Sequence, residues 1–157
     1  MQKIVPFLWF DGKAEEAANF YTAIFNDALI TDVSRSGDDG LGAKGKVMSA
    51  TFELAGQKFI ALNGGPMFKF TPAISFFVNC ETQAEVDDFW AKLSEGGQTM
   101  QCGWLTDKFG VTWQIVPIVL QQMLRDEDAA KSRRVMAAMM KMVKLDIAEL
   151  TRAYEGG

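Results

Sequence analysis

The sequence predicts an α+β fold made of two similar βαβββ modules followed by a helical extension. An apolar strand pattern precedes a helical pattern twice along the chain, and short strand patterns follow each helix. Beyond residue 117 only helical spacing remains. We therefore expect a first module over residues 1–66, a second over 67–117 and a helical extension over 118–157, all in one structural unit.

The first module contains each predicted element once. Residues 3–10 are apolar and rich in β-formers, which predicts a strand. Residues 13–25 have apolar side chains at helical spacing, so one face of this helix is buried. A short strand is expected over 28–36, and two alternating segments around a turn predict a β-hairpin over 47–63.

The second module repeats this order. Residues 73–80 predict a strand, and Thr82 with Glu85 forms a T-x-x-E capping box at the start of a helix. Gly96-Gly97 ends the helix, and short β segments follow around a turn that starts at Asp107.

An internal duplication explains the repeated order. An offset of 69 residues places Phe20-Tyr21 on Phe89-Trp90, and a repeat of this length indicates duplication rather than a solenoid. The extension, in contrast, is methionine-rich. It can dock on the modules through a methionine face, or it can present a methionine surface to a ligand or partner.

The composition excludes several function classes. The net charge of −4 argues against nucleic acid and anionic membranes as partners. No apolar run is long enough to span a membrane, and the N-terminus lacks a signal-peptide pattern, so we expect a cytoplasmic protein. The chain has no histidine, which excludes Ser-His-Asp and Cys-His catalysis and histidine-based metal sites.

One segment matches two phosphate-loop patterns. In GLGAKGKV, residues 40–47, the glycines satisfy G-x-G-x-x-G and the segment satisfies G-x-x-x-x-G-K. Both patterns require a helix after the glycines, whereas a strand is predicted from Val47 onward. We therefore expect a flexible connection here and no nucleotide site.

The modules also resemble a known superfamily. The stretches PFLWFDGKAEEAANFY, PAISFFVNCETQAEVDDFW, QCGWLTDKFGVTWQIVP and RVMAAMMKMVKLDIAELTRAY resemble the PhnB-like branch of the vicinal oxygen chelate superfamily. This superfamily includes glyoxalase I, extradiol dioxygenases and bleomycin-resistance proteins, and the branch is often labelled 3-demethylubiquinone-9 3-methyltransferase. The resemblance implies two half-barrels around a cavity, which is often completed in a homodimer.

The resemblance also implies where metal ligands would lie. Histidines begin the first strand of a module in metal-dependent relatives, and a glutamate lies on the last strand. Those positions fall on Pro6, Ser75 and Gln114, with the fourth near Ile60. These residues do not form a metal-ligand set, so we expect neither a metal nor a cofactor. A Rossmann-type methyltransferase needs a glycine-rich turn between strand and helix, which the sequence does not show.

Strand alternation then predicts which side chains line the cavity. Residues two apart from the ligand positions share their face, and Phe7, Trp9, Phe76, Trp113 and Ile115 are expected to face the helices as core. Trp104 can stack on a planar ligand, or it can pack or lie in a dimer interface. Gln114 can bind a ligand, or it can bond Ser75 or the backbone across the cavity. The candidate ligand-binding residues are Leu8, Phe10, Ser75, Phe77, Asn79, Trp104, Thr112 and Gln114.

Three functions remain open at this point. The first is a metal-free homodimer that binds a small, partly apolar molecule in the cavity. The second is a metal-independent enzyme using Cys102, Tyr21 or a carboxylate, although the sequence shows no catalytic constellation. The third is a regulatory or interaction protein that uses the methionine-rich extension.

Overall fold

Two βαβββ modules and three C-terminal helices are present, as predicted. The computed structural model describes residues 1–37 and 45–157 and divides them into two compact units, Met1–Phe70 and Thr71–Gly157. The elements are β1 (Phe7–Phe10), α1 (Ala14–Ile24), β2 (Ala28–Arg35), β3 (Val47–Leu54), β4 (Gln57–Asn63), β5 (Ser75–Cys80), α2 (Gln83–Ser94), β6 (Gln98–Thr99), β7 (Trp104–Thr106), β8 (Thr112–Pro117), α3 (Ile118–Leu124), α4 (Ala129–Met139) and α5 (Ile147–Glu155).

The first unit packs α1 against one face of a four-stranded sheet. The strand order is β1-β4-β3-β2, with β1 parallel to β4 and the other pairs antiparallel. The buried ring of Tyr21 on α1 stacks on Phe52 at 6.0 Å, and Phe52 stacks on Phe59 at 5.4 Å between ring centroids. These aromatic contacts show which face of the sheet is the core face.

The second unit has the same topology, with strand order β5-β8-β7-β6. The capping box at the start of α2 is confirmed, because Thr82 Oγ1 accepts from the Glu85 N–H at 3.1 Å. The Glu85 carboxylate in turn accepts from the Glu81 N–H at 2.9 Å. The turn predicted at Asp107 is also present, since the Asp107 carbonyl accepts from the Gly110 N–H at 2.9 Å.

The predicted orientation of β1 is wrong. Leu8 pairs with Ala61, and both lie on the face of Phe59 and α1, where Leu8 is 8% and Phe10 is 3% exposed. Phe7, which was expected in the core, is 58% exposed. Leu8 and Phe10 are therefore core residues of the first unit.

A difference in connection length explains this error. Three residues, 11–13, join β1 to α1, whereas only two residues, 81–82, join β5 to α2. The offset of 69 that aligns the helices therefore misplaces β1 by one residue. Because side chains alternate along a strand, a shift of one residue exchanges its two faces. In the second unit the predicted faces are confirmed.

The three C-terminal helices form their own core at the end of β8. Val116, Leu120, Met123, Val135, Leu145 and Leu150 make one buried cluster, and Met139 and Met142 pack against it. In contrast, Met136 and Met140 are exposed. The extension thus buries part of its methionine side chains and leaves others accessible.

The phosphate-loop pattern lies largely outside the described residues. Gly40 and Gly42 fall in the gap between residues 37 and 45, whereas Gly45 and Lys46 are described. The Gly45 N–H donates to the Ser36 carbonyl, and β3 begins at Val47, so a strand follows the glycines as predicted. No helix within the described ranges is long and apolar enough to cross a membrane.

Candidate functional site

Three predicted residues form a row across the second sheet. Phe77 on β5 and Trp104 on β7 are both paired with Gln114 on the intervening strand β8. Paired residues on neighbouring strands lie on the same face, so two aromatic side chains flank an amide. Phe77 is 46% exposed, and Gln114 and Trp104 are partly exposed. We call this arrangement the aromatic row.

The aromatic row lies on the face of the sheet that points away from α2. The opposite face carries Phe76, Trp113 and Cys80, and Cys80 interacts with Glu85 of α2. The Phe76 and Trp113 rings are 5.3 Å apart. Since side chains alternate, Ser75, Phe77 and Gln114 occupy the other side, which we call the far face.

Gln114 is held by a neighbour on the far face. Its Nε2 donates a hydrogen bond to Ser75 Oγ at 2.9 Å. Of the roles that the sequence left open for Gln114, the structure shows the hydrogen bond to Ser75. Within the described residues, Gln114 Oε1 accepts no hydrogen bond and the Ser75 hydroxyl donates none, so the pair keeps an acceptor on Gln114 and a donor on Ser75, besides the second N–H of the Gln114 amide.

Thr112 lies next to this pair. It is paired with Ser75 across β5 and β8 and is only 1% exposed. Its Oγ1 has no hydrogen-bond partner within the described residues. An unpaired buried hydroxyl costs roughly 1–3 kcal/mol, so this corner of the far face has unmet hydrogen-bonding capacity.

The remaining three candidates make other contacts. Asn79 is also on the far face, but its Oδ1 accepts from Gln121 Nε2 of α3 at 2.8 Å. Leu8 and Phe10 belong to the core of the first unit and are not brought to the row. Five of the eight candidates thus come together: Ser75, Phe77, Trp104, Thr112 and Gln114.

A hollow of about 480 Å³ adjoins Trp104. It is open to solvent and lined by Thr99, Met100, Gln101, Cys102, Trp104 and Val143. Cys102 has a left-handed backbone, with φ of 60°, and its Sγ lies 3.9 Å from Met140 Sδ. Val143 brings part of the C-terminal extension into the wall of the hollow.

Sequence reasoning missed the residues that assemble this wall. The Cys102 N–H donates to the Met142 carbonyl, and the Gly103 N–H donates to the Val143 carbonyl, both at 2.8 Å. Gln83 binds the same segment, accepting from the Ile147 N–H at 2.7 Å and donating to Leu145 O at 3.1 Å. Gln83 is an ordinary first-turn helix residue, and nothing in the sequence marked it.

Tyr21 and Cys102, which were considered for catalysis, differ in accessibility, and so do the two cysteines. Tyr21 is fully buried in the first unit. Burial, with Glu85 nearby, raises the pKa of the Cys80 thiol to about 12, which keeps it protonated. Cys102 is partly exposed beside the hollow. Of these three, only Cys102 is placed where a ligand could reach it.

Comparison with known proteins identifies the family. Residues 2–116 match the family model described as 3-demethylubiquinone-9 3-methyltransferase. The chain belongs to this family. The matched region ends one residue before the end of β8, so the three C-terminal helices lie beyond it. Among proteins with curated descriptions, none matches the chain.

Solved structures of relatives support this assignment. A putative 3-demethylubiquinone-9 3-methyltransferase, a PhnB protein from Bacillus cereus, is 43% identical, with a TM-score of 0.69 over 74% of this chain and 99% of its own. A Pseudomonas aeruginosa protein is 25% identical, with a TM-score of 0.63 over 74% and 98%. The resemblance to the PhnB-like branch is confirmed.

A more distant similarity shows the fold alone. A mutant of the fosfomycin resistance protein FosX from Listeria monocytogenes, complexed with Mn(II) and 1S,2S-dihydroxypropylphosphonic acid, is 15% identical. Its TM-score is 0.55 over 78% of this chain and 98% of its own. In the present family member, two of the positions expected for metal ligands meet as the Ser75–Gln114 pair.

The Ser75–Gln114 pair does not fit a divalent metal. The amide nitrogen of Gln114 is the donor in their hydrogen bond, and neither side chain is charged. Pro6 and Ile60, at or near the other two expected positions, have apolar side chains. The described residues contain no group of three His, Cys, Asp or Glu side chains that could hold a metal ion.

The strand-to-helix connections of the two modules bear on the methyltransferase name of the family. A Rossmann-type methyltransferase binds its cofactor at a glycine-rich turn between strand and helix. Here residues 11–13, Asp-Gly-Lys, and residues 81–82, Glu-Thr, make the two strand-to-helix connections of the modules. Neither is a glycine-rich turn, so the geometry does not support methyl transfer of that type.

Proposed function

We propose that this protein binds a small, flat, partly apolar molecule on the far face of the second sheet. The observation that carries the proposal is the aromatic row, in which Phe77 and Trp104 flank Gln114 on three neighbouring strands. An apolar surface with a few convergent polar groups is typical of small-molecule sites. Metal-free binding, rather than catalysis, is the function that this row supports best.

The dimensions of the row suit a ring-containing ligand. Phe77 and Trp104 are two strand spacings apart, which corresponds to roughly 9.5 Å between their backbones. A flat ring can stack on either aromatic side chain while one edge contacts Gln114. Aromatic stacking contributes about 0.5–1.5 kcal/mol beyond the burial of area, so both rings together would favour planar molecules.

A screen of small aromatic compounds by ligand-observed NMR tests this proposal. We expect binders whose affinity falls about tenfold or more in Trp104→Ala and in Phe77→Ala. Trp90→Ala serves as the matched control, because Trp90 lies on α2 and outside the row. Binders that keep full affinity for Trp104→Ala and Phe77→Ala would contradict the proposal.

We also propose that the protein is a cytoplasmic homodimer. Ile4 and Phe7 of the first unit are 84% and 58% exposed, and a second copy of the chain could cover these apolar side chains. Light scattering at micromolar concentration should give twice the chain mass, and a monomer mass would contradict the dimer.

Fractionation of the source cells would test the cytoplasmic location, and recovery of the protein outside the cytoplasmic fraction would contradict it.

A further inference from the structure

We infer that the Ser75–Gln114 pair selects neutral ligands that carry a lactam edge, in which a ring C=O lies beside a ring N–H. This inference rests on the proposed binding site at the aromatic row and specifies its ligand class. Three features of the second sheet support it: the hydrogen bond within the pair, the lack of charge on the surrounding strands, and the unpaired hydroxyl of Thr112.

The hydrogen bond within the pair determines which donors and acceptors remain available to a ligand. Gln114 Nε2 donates to Ser75 Oγ at 2.9 Å, which leaves Gln114 Oε1 as an acceptor, and the Ser75 hydroxyl proton and the second Nε2–H of Gln114 as donors. A ligand carbonyl can accept from Ser75 while the adjacent ligand N–H donates to Gln114. If the amide of Gln114 is turned over, donor and acceptor exchange places, and the lactam edge still fits in the opposite direction.

The surrounding strands select against charged ligands. The residues of β5, β7 and β8 read SFFVNC, WLT and TWQIVP, and none of them is ionisable in a way that leaves it charged at neutral pH. A carboxylate or an ammonium group placed on this surface would lose hydration without gaining an opposite charge. A lactam keeps its two hydrogen bonds and carries no net charge.

The position of Thr112 supports a polar ligand edge at this end of the row. Thr112 is paired with Ser75 on the far face, and its buried hydroxyl is unpartnered within the described residues. Because the Thr112 hydroxyl is buried, a ligand at this corner would contact the donors and the acceptor of the Ser75–Gln114 pair, which favours a ligand that brings both a donor and an acceptor. The aromatic side chains of Phe77 and Trp104 are then available to the ring that carries the lactam.

A pair of isosteric probes tests this inference on the full chain. Quinolin-2(1H)-one carries the lactam edge, whereas coumarin has the same shape with a ring oxygen in place of the N–H. We expect quinolinone to bind at least about tenfold more tightly than coumarin by ligand-observed NMR, since coumarin sets an oxygen against the acceptor of the pair. Equal affinities, or no binding of quinolinone, would overturn the inference.

Substitutions test whether the preference for quinolinone over coumarin arises from the Ser75–Gln114 pair. Gln114→Leu should remove it, so that quinolinone and coumarin bind equally, and Ser75→Ala should weaken quinolinone binding. Gln121→Leu, which changes an amide bonded to Asn79 instead, should retain the preference. A preference that survives in both Gln114→Leu and Ser75→Ala would also overturn the inference. The screen of aromatic compounds tests the proposed function separately. If ring compounds bind in a way that depends on Trp104 but show no preference for a lactam, the proposed function is supported and only the lactam inference fails.

Discussion

Replacing Gln83 with alanine should loosen the C-terminal extension and destabilise the second unit. The Gln83 side chain links the start of α2 to the segment before α5 by two hydrogen bonds. Its Oε1 accepts from the Ile147 N–H at 2.7 Å, and its Nε2 donates to the Leu145 carbonyl at 3.1 Å. Both contacts are to backbone groups more than 60 residues away, and no other side chain in the described residues bonds to those two groups.

The expected loss follows from these two bonds. Each contributes about 1 kcal/mol net, and partly buried backbone groups left without partners add to the cost, so we expect a total of about 2–3 kcal/mol. For a chain of this size, 1 kcal/mol corresponds to roughly 2–4 °C in Tm, which gives a fall of roughly 4–12 °C. The third contact of Gln83, to Asp87, is exposed and adds little.

Urea denaturation and hydrogen exchange measure the effect. Gln83→Ala should lower the urea midpoint and speed exchange of amides in residues 142–157. Gln83→Glu keeps the acceptor for Ile147 and loses the donor to Leu145, so its loss should be intermediate. Gln57→Ala, at an exposed site, should change stability by less than about 0.5 kcal/mol. Unchanged stability and unchanged hydrogen exchange in Gln83→Ala would refute the role assigned to the two Gln83 hydrogen bonds.

Two further predictions concern ionisable groups. Because burial raises the pKa of Cys80 to about 12, iodoacetamide at pH 8 should label Cys102 and spare Cys80 in the folded protein, and equal labelling detected by mass spectrometry would contradict this. The hydrogen bond from the Tyr154 hydroxyl holds the pKa of Asp126 below its ordinary 3.8. The stabilisation is therefore complete above pH 3.8 and is lost as pH falls through the lowered pKa. In an NMR titration, Tyr154→Phe should return the Asp126 midpoint towards 3.8; an unchanged midpoint would count against the bond.

The local elements of this protein could be predicted because their signals are local. The strands Val47–Leu54 and Gln57–Asn63 alternate and are separated by a turn, and the structure has both with the predicted bounds. The Thr82–Glu85 cap and the Asp107 turn each depend on residues within five positions of one another. Such patterns are encoded in short segments, so no knowledge of the packing was needed.

The orientation of β1 could not be predicted from local patterns. Its sequence, FLWF, is apolar on both faces, so no alternation indicates which side is the core. The predicted face follows instead from the ligand position that the resemblance places at Pro6, and one additional residue in the β1–α1 connection reverses it. In β8, in contrast, polar Thr112 and Gln114 alternate with Trp113 and Ile115, and the predicted faces were right.

Sequence patterns alone predict the fold class, the duplication, the family resemblance and the candidates that meet on the far face. Which of these residues lie in contact depends on the packing of the folded chain. The Gln114–Ser75 bond spans 39 residues, and the Gln83 contacts span 62 and 64. Hydrogen bonds over such separations depend on strand register and helix docking, because neither partner carries a local signal of the other. For that reason the far face acquired a defined hydrogen-bonding pattern only in the folded chain.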